Sequence, residues 1–304
     1  MYKEFYKLRF NPFEITPNPS FLFLTRRHQE ALAALYYGVQ RRKGFVALTG
    51  DVGTGKTLLI RCLLRMLKNS NTVWAHVFNC RLSSLEFLDY AATEFGLAAS
   101  GKTKGQLLQD LSKYLFSRHQ RKLTTVIVVD DAQGLSIEVL EEIRLLSNLE
   151  TETEKLLQIL LVGQHELDEK LDSFELRQLK QRIALRSHLE PFNLEETRSY
   201  IRHRLRCAGA PSEAHDLFAD ETIETVFRHT RGVARLVNTV CENALIAAFA
   251  RQLTRVPPDI VDEVAYDLRL LRLNAANPSR AEYDKSNSGT ATCISIADSR
   301  TADS

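Results

Sequence analysis

A short apolar run, a glycine-rich loop and the start of an apolar-periodic helix follow one another from Gly44 to Leu59, reading G-F-V-A-L-T-G-D-V-G-T-G-K-T-L-L. Phe45 to Leu48 is apolar without interruption, the pattern of a strand buried on both faces in a parallel sheet. The loop then fits G-x-x-x-x-G-K-[ST] over Gly50, Asp51, Val52, Gly53, Thr54, Gly55, Lys56 and Thr57. Glycines at these places let backbone N–H groups curl around phosphate oxygens, and a helix N-terminus adds partial positive charge. Lys56 can reach the β- and γ-phosphates, and the Thr57 hydroxyl can ligate Mg²⁺. The spacing therefore predicts a loop that binds the phosphates of a nucleotide together with Mg²⁺.

The same pattern occurs a second time, in Gly96 to Thr103 (G-L-A-A-S-G-K-T). Here Leu85, Leu88, Ala92 and Phe95 recur at helical spacing upstream, so a helix and not a strand enters the loop. Lys104 and Gly105 follow without an apolar helix start. This segment reads as a helix–helix connection, with Lys102 a solvated lysine.

Further strands are predicted at 72–78, at Val126 to Val129, at Leu156 to Val162 and at Ile183 to Leu189, with helices between them. Such alternation predicts an α/β fold with a right-handed parallel sheet. The third strand ends in Asp130-Asp131, as expected for the metal side of a phosphate-loop NTPase. Asp130 would hold Mg²⁺ through water and Asp131 would activate the attacking water; the bland alternative is a helix N-cap. Gln164 follows the next strand, at the carboxyl edge where open α/β sheets bind ligands.

From Asn193 the pattern is helical only, opening with Asn193 and Glu196 as a capping box. Thr197, Ile201, Leu205 and Ala208 form an apolar stripe, and Arg198, Arg202 and Arg206 a basic one, most simply a solvated face paired with acids. The boundaries read as 1–43 for an aromatic- and proline-rich segment plus helix, 44–190 for the core, 191–273 for an all-α lid of four helices and 274–304 for a polar, disordered tail. In the first segment, core packing is the simpler role for the aromatics, and covering an adenine ring the sharper one.

A formal net charge of +2 gives no global reason to expect nucleic acid or anionic membrane. The five cysteines (Cys62, Cys80, Cys207, Cys241, Cys293) are scattered, without C-x-x-C, which suits reduced thiols. Neither a signal peptide nor an apolar run long enough to span a bilayer is present, so the expected address is cytoplasmic.

Together these pieces resemble an AAA+ ATPase of the ExeA/GspA (general secretion pathway protein A) type. The stretches that carry the resemblance are M-Y-K-E-F-Y-K-L-R-F-N-P-F-E-I-T-P-N-P, H-Q-E-A-L, the phosphate loop, V-V-D-D-A-Q, L-V-G-Q-H-E-L, L-R-Q-L-K-Q-R-I, E-T-R-S-Y-I-R-H-R-L and R-G-V-A-R-L-V-N, in the family's order. The resemblance implies a parallel-sheet phosphate-loop core with a C-terminal all-α lid. It implies Gln164 as the sensor-1 residue, Arg235 as the sensor-2 arginine, and Arg182, or secondarily Arg177, as an arginine finger acting on a neighbour's ATP. That last role implies an ATP-dependent homo-oligomer.

Two positions depart from the family. Asp131 stands where glutamate is usual, which shortens the reach to water and implies slow hydrolysis, and His165 replaces a proline. Larger relatives continue into a membrane helix and a peptidoglycan-binding domain, so the link to the envelope is expected to run through a membrane or envelope partner protein. The implied function is ATP-driven assembly of a secretion, pilus or polysaccharide-export system. The alternatives are a DNA-associated regulator of the TniB or initiator kind, disfavoured by the near-neutral charge, and a slow nucleotide-gated switch.

Overall fold

The computed structural model describes residues 1–14, 19–68, 70–78, 81–210 and 217–270. Thr16-Pro17-Asn18, Cys80, Cys293 and the tail read as disordered (274–304) lie outside the described residues. The strands are β1 (Phe45–Gly50), β2 (Thr72–Val77), β3 (Thr124–Val129), β4 (Leu157–Gly163) and β5 (Ile183–Leu189). The helices are α1 (Tyr2–Phe5), α2 (Arg26–Gln40), α3 (Lys56–Leu67), α4 (Ser84–Glu94), α5 (Lys104–Gln120) and α6 (Ile137–Leu146), followed by α7 (His165–Leu171), α8 (Arg177–Arg182), α9 (Leu194–Cys207), α10 (Asp220–Thr230), α11 (Ala234–Ala250) and α12 (Pro258–Asp267).

The strands pair in the order β2-β3-β4-β1-β5, every pair parallel. This is the α/β sheet that the alternating pattern predicts. β1 and β4 are buried along their whole length, with Gln158 of β4 satisfied by the Gly44 N–H and the Lys155 carbonyl, whereas edge strand β5 alternates in exposure. β4 lies between β1 and β3, with Thr49 opposite Gly163 and Val129 opposite Leu161. The chain segments that leave β1, β3 and β4 therefore emerge side by side at one edge.

Two compact units divide the chain. The sheet unit comprises residues 30–191 with Val233–Arg235. One side of its sheet packs Ala75, Val77, Ile127 and Val129 with Phe87 and Leu88 of α4. Two details of helix amphipathicity differ from the spacing-based reading. In α2, where Leu32, Leu35, Tyr36 and Val39 recur at helical spacing, the buried apolar side chains are Ala31, Leu35 and Val39, Gly38 lies against Val46, and Tyr36 is exposed. In α4 the buried apolar positions are Phe87, Leu88, Ala91 and Ala92, and Leu85 in the first turn is exposed.

The helical unit comprises residues 1–29, 192–232 and 236 onward. The aromatic segment, read as part of 1–43, thus divides: its first 29 residues group with α9–α12, and from Glu30 the chain groups with the sheet. Phe13, Phe21 and Phe23 are buried, and Phe23 meets Phe192 and Tyr200 edge-on. Arg204 holds the segment by donating to the carbonyls of Pro12 (2.5 Å) and Glu14 (3.0 Å), with its guanidinium over the Phe21 ring. These aromatics act as packing within the helical unit. Asn193 caps α9 reciprocally with Glu196, and Thr197, Ile201, Leu205 and Ala208 are buried as the stripe predicts. Arg198 pairs with Glu195 and Asp220, and Arg202 with Asp220.

Asp262 of α12 accepts from His229 (2.6 Å) and Arg228 (2.9 Å) of α10. These partners, the His229 hydrogen bond foremost, hold its carboxyl below the usual carboxylate pKa. A depressed folded-state pKa contributes stability that is complete above the unfolded value and is lost as pH falls through the folded one. The α10–α12 pair is therefore expected to weaken below about pH 4, the ordinary aspartate range. Asp262→Asn should lower the melting midpoint at neutral pH by a few degrees and flatten its dependence below that range, as circular dichroism melts would record.

Candidate active site

The loop after β1 is shaped by two glycines that cannot be replaced without movement. Gly50 has φ +153°, and a Cβ there would lie 2.4 Å from the Leu189 carbonyl oxygen. Gly53 has φ +82°, and a Cβ there would lie 2.7 Å from the Arg235 Cβ. The loop is thus bare of side chains where its neighbours approach it, as a backbone that curls around phosphate oxygens requires. Thr54 braces it by donating to the Asp51 carbonyl at 2.8 Å, while Val52 is exposed and Gly55 precedes α3.

Lys56, the first residue of α3, is 7% exposed and donates to the carbonyls of Gly50 (2.7 Å) and Asp51 (2.8 Å). Burial lowers its pKa, and the nearby Asp130, Asp131, Asp51 and Glu166 pull it partly back. A buried ammonium whose hydrogen-bond partners are neutral carbonyls sits in a field that favours an arriving anion. One residue on, the Thr57 hydroxyl donates to Asp130 Oδ2 at 3.2 Å. The first turn of α3 and the end of β3 thereby present a hydroxyl and a carboxylate side by side, the hard oxygen pair that suits Mg²⁺ with phosphate oxygens.

Asp130 is buried and its Oδ1 also accepts from the Asp131 N–H at 3.0 Å. Asp131 is exposed and adopts a left-handed conformation, φ +55° and ψ +35°, ahead of the short 3₁₀ turn Ala132–Gly134. It occupies an N-cap position without capping. Its carboxylate instead accepts from the Gln133 side-chain amide at 3.2 Å. Gln133 Oε1 accepts from the backbone N–H of Gln164 at 3.0 Å. Gln164 directly follows β4 and precedes α7, with its side chain not spent on capping that helix.

Gln133 is the site residue that sequence reasoning passed over. It stands within V-V-D-D-A-Q, but its link to Gln164 spans 31 positions and exists only because β4 lies beside β3. Arg235 stands at the start of α11, and its backbone N–H donates to the Gly53 carbonyl at 3.2 Å. The expected phosphate-loop, metal and sensor positions thus converge at the carboxyl edge of the sheet.

The two finger candidates sit apart from one another on α8. Arg182 donates to Ser147 Oγ (2.7 Å) and Asn148 Oδ1 (2.6 Å), which ties it to the end of α6. Arg177 is exposed and lies 4.0 Å over the ring of Phe174, itself 76% exposed. His165, in the proline position, faces Glu169 at 3.6 Å on the surface of α7.

The second G-x-x-x-x-G-K-T match has none of this context. Thr103 caps α5 in a reciprocal box with Gln106, and Lys102 pairs with Asp110 at 2.6 Å. Cβ atoms at Gly96 and Gly101 would meet nothing within 4 Å. The segment joins α4 to α5 as read, and Lys102 is ion-paired where simple solvation was expected.

Residues 39–171 match the family described as AAA domain, a span that contains the phosphate loop, Asp130, Asp131 and Gln164. General secretion pathway protein A of Aeromonas hydrophila is 41% identical over 273 residues, covering 90% of this chain. The chain belongs to the AAA+ family, of the general secretion pathway protein A type. It spans about half the length of that relative, 49%. Solved AAA+ neighbours share the fold at low identity. The ORC2 protein of Aeropyrum pernix, in ADPNP and ADP complexes, aligns at TM-score 0.62 and 16% identity, covering 83% of this chain and 72% of that one. The Holliday junction branch migration motor RuvB of Thermotoga maritima aligns at TM-score 0.52 and 17% identity, covering 81% and 70%. Among the described residues, no helix of this AAA+ chain is long and apolar enough to cross a membrane.

Proposed function

We propose that this AAA+ chain binds Mg·ATP, hydrolyses it to ADP and phosphate, and couples nucleotide state to assembly of an envelope secretion, pilus or polysaccharide-export system. The observation that carries the nucleotide half is Lys56 buried beside a Thr57–Asp130 pair 3.2 Å apart. The secretion half rests on the named relative.

In this reading the N–H groups of Gly50–Thr57 and the Lys56 ammonium hold the β- and γ-phosphates. Thr57 and Asp130 would hold Mg²⁺, which would neutralise charge developing on the phosphate oxygens. Asp131 orients the attacking water and accepts its proton. Gln164 senses the γ-phosphate from the end of β4, and Arg235 reports nucleotide state from the start of α11. The shorter Asp131, in place of the family's glutamate, makes turnover slow. The chain acts as an ATP-dependent homo-oligomer on the cytoplasmic side of the inner membrane, attached through a membrane or envelope protein partner.

Phosphate release from Mg·ATP tests the hydrolysis directly, and its absence at any protein concentration would remove the enzyme reading. Turnover of the two arginine variants, with sedimentation in ATP to confirm assembly, separates the finger candidates. An arginine that acts in trans leaves assembly intact when lost but lowers turnover by roughly a thousandfold or more. Arg182→Ala is expected to do this, with Arg177→Ala the control; the reverse result moves the role to Arg177. A fully active monomer excludes both.

A further inference from the structure

The strongest unassigned feature beside the site is the Gln133 side chain, which uses both ends of its amide. Its NH₂ donates to Asp131 Oδ1 at 3.2 Å, and its Oε1 accepts from the Gln164 N–H at 3.0 Å. A carboxylate only accepts and a backbone N–H only donates, so a single orientation of the amide satisfies both. The backbone beneath is also fixed. Lys170 of α7 donates to the carbonyls of Gln133 (2.6 Å) and Leu135 (2.7 Å), tying the turn after β3 to the helix after β4. Gly163 makes room for the bridge, since a Cβ there would lie 2.8 Å from Gln133 Oε1.

Asp131 is the residue that needs such a brace. Its left-handed backbone is one that aspartate visits more readily than most residues with a side chain, and it persists where surrounding structure over-determines it. Its carboxylate is exposed and makes no capping hydrogen bond to the backbone of the turn it opens. Asp130, by contrast, is buried between the Thr57 hydroxyl and the Asp131 N–H. Gln133 therefore supplies the side-chain restraint at the reactive carboxylate, and supplies it from the same amide that grips the backbone of Gln164.

We infer that Gln133 is a positioning residue that holds the Asp131 carboxylate in its productive orientation and couples it to the strand end carrying Gln164. A shift of Gln164 on contact with the γ-phosphate is thereby passed to Asp131 through one amide. The inference rests on the ATPase reading above but is separable from it.

The test uses the full chain with Gln133→Met, which keeps side-chain length and removes both hydrogen bonds. Mg·ATP affinity, read by fluorescent-nucleotide titration, should stay within about twofold, because the phosphate loop is untouched. Single-turnover hydrolysis should slow by roughly tenfold to a hundredfold, the scale of losing an outer partner of a reactive group. Gln133→Glu keeps an acceptor for the Gln164 N–H but sets like charges together at Asp131, and should slow hydrolysis at least as much. The deciding readout is the double variant with Asp131→Asn: if Gln133 acts through Asp131, adding Gln133→Met costs nothing further. Unchanged hydrolysis in Gln133→Met, or multiplicative losses in the double variant, overturns the inference. A fall in affinity or in melting midpoint that matches the loss in rate also overturns it, since the residue would then be structural. Wild-type protein that binds no Mg·ATP defeats the ATPase reading instead.

Discussion

Lys56→Ala loses Mg·ATP binding, with affinity falling by roughly a hundredfold or more, whereas Lys102→Ala stays within about twofold of wild type. Both lysines close a G-x-x-x-x-G-K-T match, so composition and spacing cannot tell them apart. Their surroundings can. Lys56 is 7% exposed, with its ammonium on two backbone carbonyls and its pKa lowered by burial. Phosphate oxygens carry full charge where these carbonyls carry only dipoles, so an anion recovers the cost of burying the ammonium. Lys102 already has a carboxylate partner in Asp110, on the surface of a helix connection. Equal losses from the two substitutions would mean that the wrong loop had been chosen.

The second large effect separates the two aspartates that end β3. Asp131→Asn should keep nucleotide affinity and lower single-turnover hydrolysis by roughly a hundredfold to ten-thousandfold, the usual worth of a positioned base. Asp130→Asn should instead weaken binding in Mg²⁺ and erase the difference between Mg²⁺ and EDTA, because Asp130 meets Thr57 at 3.2 Å. Asp131→Glu, which restores the family's usual length, is expected to raise turnover; without a rise, the short carboxylate is not what limits the rate. If Asp131→Asn hydrolysed as fast as wild type, the water-activating role would belong to another residue.

The reach of sequence reasoning follows the range of the interactions involved. β5 was legible to the residue, Ile183–Leu189, and the buried strands β1, β3 and β4 were legible as apolar runs, that of β4 interrupted only by Gln158. Asn193 with Glu196 announced α9 through a capping box of three-residue span, and the same signal at Ser83–Glu86 and Thr103–Gln106 stands in the sequence for α4 and α5. Helix faces were less secure. Tyr36 and Leu85 fit the apolar period but are exposed, because a helix buries only the arc that its neighbours cover.

Tertiary grouping was the least legible. Nothing local says that residues 1–29 join the helical unit, or that Val233–Arg235 group with the sheet, where the Arg235 N–H meets the Gly53 carbonyl. Gln133 is the sharpest instance. An amide two residues past a carboxylate is an ordinary turn residue until β4 is known to lie beside β3.

Calorimetric titration of the wild-type chain with ATP, in Mg²⁺ and again in EDTA, tests the central claim most directly. Saturable binding in the micromolar range that weakens strongly when Mg²⁺ is removed is the predicted result. An absence of binding at millimolar ATP, or an affinity indifferent to Mg²⁺, would contradict it.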